Sequence, residues 1–205
     1  MLTVLSAALV YGLTGGLAPG PLMTLVISQT LRHGAKEGMK TALAPLITDG
    51  PIMIVLLLFL GRIAAIRSLV GVIAIAGVLY LLYLAWESWS APPPGATETS
   101  AAPRSIVRGA VVNFLNPNPY LFWLTAGTPM LIKAWRHSAL AAAAFITVFF
   151  VCLVGSKLLL ALVLARSREH VVGRWYRPVM RTLALLLVVF AVIVGRDAVA
   201  LIRQR

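Results

Sequence analysis

Residues 17–24 read LAPGPLMT, and they interrupt an apolar run in which residues 1–31 carry no charged side chain. Proline in a helix interior removes a backbone hydrogen bond and clashes with the preceding turn, so Pro19 and Pro21 should break the helix. In lipid, backbone groups freed in this way are tolerated only where they face protein or a water-filled cavity. The stretch therefore predicts a membrane helix that is broken beside a cavity or a protein contact.

The composition of the whole chain is that of an integral membrane protein. The chain has 205 residues, of which 60% are hydrophobic and only 12% are charged, too few charges to cover a soluble domain of this size. Several apolar segments approach or exceed the roughly 20 residues that cross a bilayer as a helix. We predict an all-α membrane protein with six transmembrane helices, at about residues 2–31, 41–61, 68–87, 109–132, 139–165 and 179–202.

The net charge of +12 comes mainly from lysines and arginines at the ends of these apolar segments. No basic helix alternates with aromatic residues, so we expect a lipid bilayer rather than a nucleic acid as the partner of this charge. The first, third and fifth connectors between the predicted spans carry ten Lys and Arg residues. The even-numbered connectors and the C-terminal region, on the opposite side of the membrane, carry seven. The positive-inside rule therefore places the odd-numbered connectors in the cytoplasm and both termini outside.

The longest connector, SAPPPGATETSAAPRS at residues 90–105, has the composition of a linker. We divide the chain into a first repeat at 1–89, a linker at 90–108 and a second repeat at 109–205. Each half holds three predicted spans, so the second half enters the membrane from the opposite side, as in an inverted repeat. Because six helices make a small unit, we also consider a homo-oligomer.

The first predicted span of each half is interrupted by prolines. APGP at residues 18–21 breaks the first span, and NPNP at residues 116–119 breaks the fourth. Paired interruptions at corresponding places in two halves are a sequence sign of a transporter's binding site. Two packing kinks are the alternative, and the repetition in register favours transport.

Two charged residues lie deep inside the predicted spans. Asp49 comes eight residues after the second span begins at Thr41, and Lys157 comes eight residues before the fifth span ends at Ala165. At 1.5 Å per residue, each lies about 12 Å from the same side of the membrane, so the two could pair. Charged residues at such depth are functional by default. We predict that Asp49 is the proton-coupling group, with a purely structural ion pair as the alternative.

Both helix breaks fall in the same layer as these charges, roughly 10–15 Å from that side. The amides of a helix that starts after Pro21 suit a carboxylate, and the carbonyls before Pro19 could receive an ammonium. A zwitterionic amino acid would fit such a pocket, and we expect no cofactor or resident metal. The predicted substrate-binding residues are Pro19, Gly20, Pro21, Asn113, Asn116, Pro117, Asn118 and Lys157.

Two stretches resemble a known family. GGLAPGPLMTLVISQTLRHGAKEGMKTALAPLITDGP at residues 15–51 resembles the opening of the lysine exporter (LysE-type) translocators, which have PGP in the first helix, spaced glycines, and an acidic residue in the second helix. RGAVVNFLNPNPYLFW at residues 108–123 resembles the family's second signature, an Asn-Pro that opens the fourth helix. The resemblance implies a multi-pass exporter of amino acids or related metabolites in the bacterial inner membrane, driven by the proton gradient.

The chain departs from this family pattern at two positions. A lysine commonly follows the Asn-Pro, and Asn118 stands in its place; Ala42 occupies a position where glycine is frequent. The missing lysine removes a charge from the predicted site, so the substrate stays open. Lys157 is the candidate to replace that charge.

Other function classes have less support in the sequence. The chain has no GxSxG, HExxH, Walker or dinucleotide motif, which argues against an enzyme or an ATP-driven pump. A thiol-redox conduit needs a cysteine pair, and Cys152 is the single cysteine. A divalent-metal exporter would use Asp49, although Lys157 in the same layer would repel a cation. A non-transporting assembly protein also stays open. Trp123 is a possible lining residue, with packing the favoured interpretation.

Overall fold

The computed structural model describes residues 1–58, 63–91, 104–167 and 175–203, and the regular structure in these ranges is helical. A π-helical segment, Trp123–Gly127, connects the seventh helix to the eighth. The α-helices, numbered in chain order, are α1 Leu2–Leu17, α2 Pro21–His33, α3 Ala35–Ala42, α4 Ala44–Leu58, α5 Ile63–Trp89, α6 Ser105–Leu115, α7 Pro117–Phe122, α8 Thr128–His137, α9 Ala139–Arg166 and α10 Tyr176–Arg203.

The described helices make this an all-α, multi-pass membrane protein. Four stretches are long and apolar enough to cross a bilayer, namely Ala35–Leu58, Val70–Trp89, Ala139–Arg166 and Tyr176–Ala200. Helices α1 and α2 form a fifth if they count as one span broken by a bend of 57°. The predicted fourth span is divided among α6, α7, the π-helical segment and α8, so the total of six spans stays a prediction.

The predicted linker falls largely on residues 92–103, which lie outside the described residues. Residues 168–174, in the predicted fifth connector, lie outside them as well. The division of the chain into two repeats therefore stays a prediction.

Helix α1 packs closely along α9 because it presents glycines to it. A Cβ atom at Gly12 would lie 2.6 Å from the carbonyl oxygen of Phe149, and one at Gly16 would lie 2.9 Å from that of Leu153. Real Cβ atoms essentially never come closer than 3.0 Å to another heavy atom, so a side chain at either position would push the helices apart. Small residues serve the same purpose in many membrane-helix interfaces. The contact brings the end of α1 beside the middle of α9.

The other long contact joins α5 to α10 through a core that includes Leu81, Leu84, Leu187 and Ala191. The outward faces of the long helices carry large exposed apolar side chains, as expected where a helix meets lipid rather than water. Leu159, for example, is 62% exposed. The bundle is therefore apolar on both its inner and its outer surfaces, and buried polar groups need a specific explanation.

Glu87 joins three helices at the end of the bundle where α2 and α5 end and α6 begins. Its carboxylate lies 3.1 Å from an Arg32 nitrogen of α2 and 2.7 Å from an Arg108 nitrogen of α6. All three side chains are between 17% and 22% exposed, so this is a partly buried cluster. The cluster ties the α2 half of the first broken helix to the α6 half of the second.

Candidate functional site

A cavity of about 200 Å³ lies between the two helix breaks. Its polar lining includes Asp49 from α4, Asn113 from α6 and Lys157 from α9. Of the nine residues predicted from the sequence, only Pro117 does not line it; this proline is buried as the first residue of α7. The residues that the two breaks contribute are Ala18, Pro19, Gly20, Pro21, Asn116, Asn118 and Pro119.

Asp49 is 4% exposed, and three side chains hold its carboxylate. Asn113 Nδ2 lies 2.9 Å from Oδ1, and Trp123 Nε1 lies 3.2 Å from Oδ2. The Thr48 hydroxyl lies 3.3 Å from Oδ1 and 3.0 Å from the carbonyl oxygen of Ala44, and its single proton serves one of them at a time. Donors to a carboxylate form stronger bonds than neutral pairs do, and they offset part of the cost of burial.

Trp123 reaches Asp49 because the helix after the second break is locally widened. In the π-helical segment, the Thr128 amide donates to the Trp123 carbonyl, five residues back. Pro129 has no amide hydrogen to continue the α-helical pattern, which gives a local reason for this widening. A Cβ atom at Gly127 would collide with the Trp123 ring, so this glycine makes room for the indole. Trp123 therefore binds Asp49 from behind the cavity wall rather than lining the cavity.

Lys157 is also 4% exposed, and its ammonium is bound to the end of α1. Nζ donates to the carbonyl oxygens of Gly15 at 3.0 Å and Gly16 at 2.8 Å. The last carbonyls of a helix lack partners within the helix, and the negative end of the helix dipole favours a cation there. The carbonyls that we expected to receive a substrate ammonium are thus occupied by an ammonium of the chain itself.

Asp49 and Lys157 do not form the direct ion pair that their depth suggested. The ion pairs found among the described residues join other partners. The physical reason is that each charge has nearer groups that satisfy it: side-chain donors around Asp49 and backbone carbonyls around Lys157. Both residues line the same cavity, so it holds one negative and one positive group.

Helix α2 begins at this cavity. Gly20 precedes the helix in an extended conformation, with a φ of −173°, and its carbonyl accepts the first helical bond from Thr24 at 2.9 Å. The amides of Leu22 and Met23 come earlier in the turn and have no acceptor within the helix. Both residues line the cavity. Amides at a helix start, together with the dipole, favour an anion.

Backbone groups around the second break form hydrogen bonds with side chains that lie close to them in the sequence. Asn116 Oδ1 accepts from the Asn118 amide at 3.1 Å, and the Tyr120 hydroxyl donates to the Phe114 carbonyl at 2.9 Å. Pro117 and Pro119 have no amide hydrogen that needs a partner. This break lines the cavity with the uncharged side chains of Asn116, Asn118 and Pro119.

A profile of the LysE type translocator family matches residues 13–198, which is most of the chain. The chain belongs to the LysE type translocator family. Proteins of this family move small solutes across membranes, so the chain is a multi-pass membrane transporter. No curated protein and no solved structure matches it.

The apolar side of the LysE type translocator's cavity was not evident from the sequence. Tyr11, Phe122, Phe149 and Leu153 line it. Tyr11 meets Phe122 edge to face at 5.8 Å between ring centroids, and Phe122 stacks on Phe149 at 5.2 Å. These rings come from α1, α7 and α9, and no motif links them. Thr48 was also missed, although its position beside Asp49 was an available clue.

The described residues contain no group of three or more His, Cys, Asp or Glu side chains that could hold a metal ion. The polar side chains that line the translocator's cavity are the carboxylate of Asp49, the ammonium of Lys157, the Tyr11 hydroxyl and the amides of Asn113, Asn116 and Asn118.

Proposed function

We propose that this translocator exports amino acids, or related small metabolites that carry both charges, across the bacterial inner membrane by proton antiport. The observation that supports this proposal is the presence of one buried carboxylate and one buried ammonium in a single cavity between two broken helices. A zwitterion brings one charge of each sign, so each of its ends finds an opposite charge in the cavity.

The substrate carboxylate would lie between Lys157 and the start of α2. An ammonium has three N–H donors, and two of those on Lys157 are used by Gly15 and Gly16. One donor is therefore left for a ligand, and the amides of Leu22 and Met23 add two more. The site thus offers donors to an anion without moving Lys157 from the end of α1.

The substrate amine would lie against Asp49 and the asparagine side chains. A carboxylate has about four acceptor positions, and the donors around Asp49 leave part of this capacity for an ammonium. Protonation would remove the negative charge that attracts the amine. Proton and substrate would therefore compete for Asp49, which is how one carboxylate couples two fluxes, and carboxylates in membranes commonly act as proton relays.

Helix packing supports two inverted halves as the framework of this mechanism. We take α1–α2 as the first span and α6–α8 as the fourth. In an inverted repeat, spans one, two and three correspond to spans four, five and six. A contact between spans one and five should therefore have a counterpart between spans four and two. Helix α1 packs on α9, and α6 packs on α3 and α4. Helices α5 and α10 are spans three and six, so exchange of the halves swaps them and leaves their contact unchanged. We infer six spans in two such halves.

Efflux from proteoliposomes tests the proposal. Vesicles preloaded with a panel of labelled amino acids are followed with and without a pH gradient, for the wild type, for Asp49→Asn and for the matched control Asp197→Asn. Asp197 lies on α10 and does not line the cavity. We expect gradient-dependent efflux that is lost in Asp49→Asn and kept in Asp197→Asn.

Three results would contradict parts of this proposal. Efflux that survives Asp49→Asn would refute the role of Asp49 and leave the exporter. Transport of a divalent metal in place of any amino acid would favour the metal-exporter alternative. No flux of any solute, together with reduced stability of Asp49→Asn, would favour a non-transporting assembly protein.

A further inference from the structure

We propose that the cavity selects amino acids whose side chain is uncharged, apolar and aliphatic, and discriminates against basic, acidic and large aromatic ones. This inference rests on the proposed function and adds the substrate class. Three features of the cavity carry it, namely its charge balance, its apolar wall and its volume.

The charge balance of the cavity leaves no partner for a third charge. Its lining holds Asp49 and Lys157 as ionisable groups of opposite sign, and the remaining lining residues are uncharged apart from the weakly acidic Tyr11 phenol. The α-carboxylate and the α-ammonium group of an amino acid pair with these two groups. A lysine or glutamate side chain would bring a further charge into a buried space without a counterion, which is strongly unfavourable.

The aromatic and aliphatic side chains of the cavity form an apolar wall that is tightly packed. Phe149 is 2% exposed and is fixed between other rings, stacking on Phe122 at 5.2 Å and on Phe145 at 6.3 Å. Leu153 lies one turn further along α9 and also faces the cavity. Ligand sites combine such apolar walls with a few placed polar groups, and the wall receives the apolar part of the ligand.

The volume of the cavity limits the size of that apolar part. About 200 Å³ is below the roughly 300–1,000 Å³ of sites for drug-sized ligands. A small aliphatic side chain needs much less of this space than the bicyclic indole of tryptophan does.

Competition for counterflow in proteoliposomes tests the selectivity. Uptake of labelled leucine is measured against unlabelled valine, methionine, lysine, glutamate and tryptophan at equal concentrations. We expect valine and methionine to inhibit at least tenfold more strongly than the other three. Lysine or glutamate that competes as well as valine would overturn the inference and leave the proposed function intact, whereas no movement of any amino acid would overturn the proposed function itself.

A pair of variants on α9 ties the selectivity to the wall. Phe149→Ala enlarges the cavity and should improve inhibition by tryptophan relative to valine about tenfold. Phe150→Ala is the matched control, because Phe150 contacts Trp123 and Phe149 but does not line the cavity. The ratio of two inhibition constants does not depend on expression level. Should Phe149→Ala fail to fold, the smaller change Phe149→Leu is measured in the same way. A ratio that stays constant, or one that changes only in Phe150→Ala, would refute the role of the wall.

Discussion

The break at residues 18–21 leaves backbone groups that a distant side chain binds, whereas the break at residues 116–119 satisfies its own. At the first, the carbonyls of Gly15 and Gly16 bind Lys157, more than 140 positions away in the chain. At the second, the partners are Asn116 and Tyr120, which lie two and six residues from the groups that they bind. Two breaks of similar sequence therefore differ in what they need from the rest of the molecule.

The comparison indicates that the two breaks have different roles in the structure. The first holds a buried cation and open amides, so its geometry depends on the charge state and contents of the cavity. The second is closed by neutral hydrogen bonds, so it forms a fixed part of the wall. Substitutions that affect the first break should therefore have larger effects on both stability and transport than substitutions at the second.

Replacing Lys157 by methionine should have the largest effect. The variant leaves two carbonyls of α1 without a partner and leaves Asp49 without the opposite charge in its cavity. We expect a loss of stability of about 3 kcal/mol. For a chain of this size that is roughly 6–12 °C in the melting temperature. Transport should also fall at least tenfold.

Thermal unfolding of the purified protein and efflux from proteoliposomes measure these two effects for Lys157→Met. Lys133→Met is the control, because Lys133 is an exposed lysine on α8 and does not line the cavity. Equal melting temperatures for the two variants would contradict the dependence of the first break on Lys157.

The Glu87 cluster connects α2 to α6 at the ends that lie away from the two breaks, and its removal should have an intermediate effect. Glu87→Gln removes the charge that binds Arg32 of α2 and Arg108 of α6. Because the cluster is partly buried and its bonds are charge-assisted, we expect a loss of about 1.5 kcal/mol, or roughly 3–6 °C.

Glu37→Gln is the control for Glu87→Gln, since Glu37 has a similar exposure of 14% but pairs with one lysine, Lys40, of its own helix, and that lysine side chain is 55% exposed. Pairs between neighbouring turns of one helix contribute about 0.3–0.5 kcal/mol. Thermal unfolding at low and high salt measures both variants. An equal loss of stability in both variants would show that the bonds of Glu87 between helices contribute no more than the Glu37–Lys40 pair within one helix.

Asn116→Ala should give the smallest of the three effects. It removes the side chain that caps α7 by accepting from the Asn118 amide, and such caps contribute about 1 kcal/mol. Asn118→Ala keeps that amide and serves as the control, with a smaller expected shift in melting temperature. A loss for Asn116→Ala as large as that for Lys157→Met would contradict the self-contained character of the second break.

Several features of the site were predictable because they depend on local chemistry. Proline removes a backbone hydrogen bond and clashes with the preceding turn, so the closely spaced pairs Pro19/Pro21 and Pro117/Pro119 favour a helix break. The single Pro51, in contrast, lies inside α4. The depths of Asp49 and Lys157 follow from the helical rise, and both residues line the cavity as the shared depth suggested. The fourth span was less predictable, because proline positions do not reveal how α6, α7, the π-helical segment and α8 are arranged.

The partners of the two charges were not predictable, because they depend on how the helices rotate and slide against each other. The sequence by itself determined an apolar helical chain, two breaks and two deep charges, since composition and proline geometry act within a few residues. The tertiary structure decided that Lys157 binds α1, that Trp123 binds Asp49 and that three rings meet in one wall. The close packing of Gly12 and Gly16 against α9 sets that register, and hydrogen bonds require it to within a few tenths of an ångström.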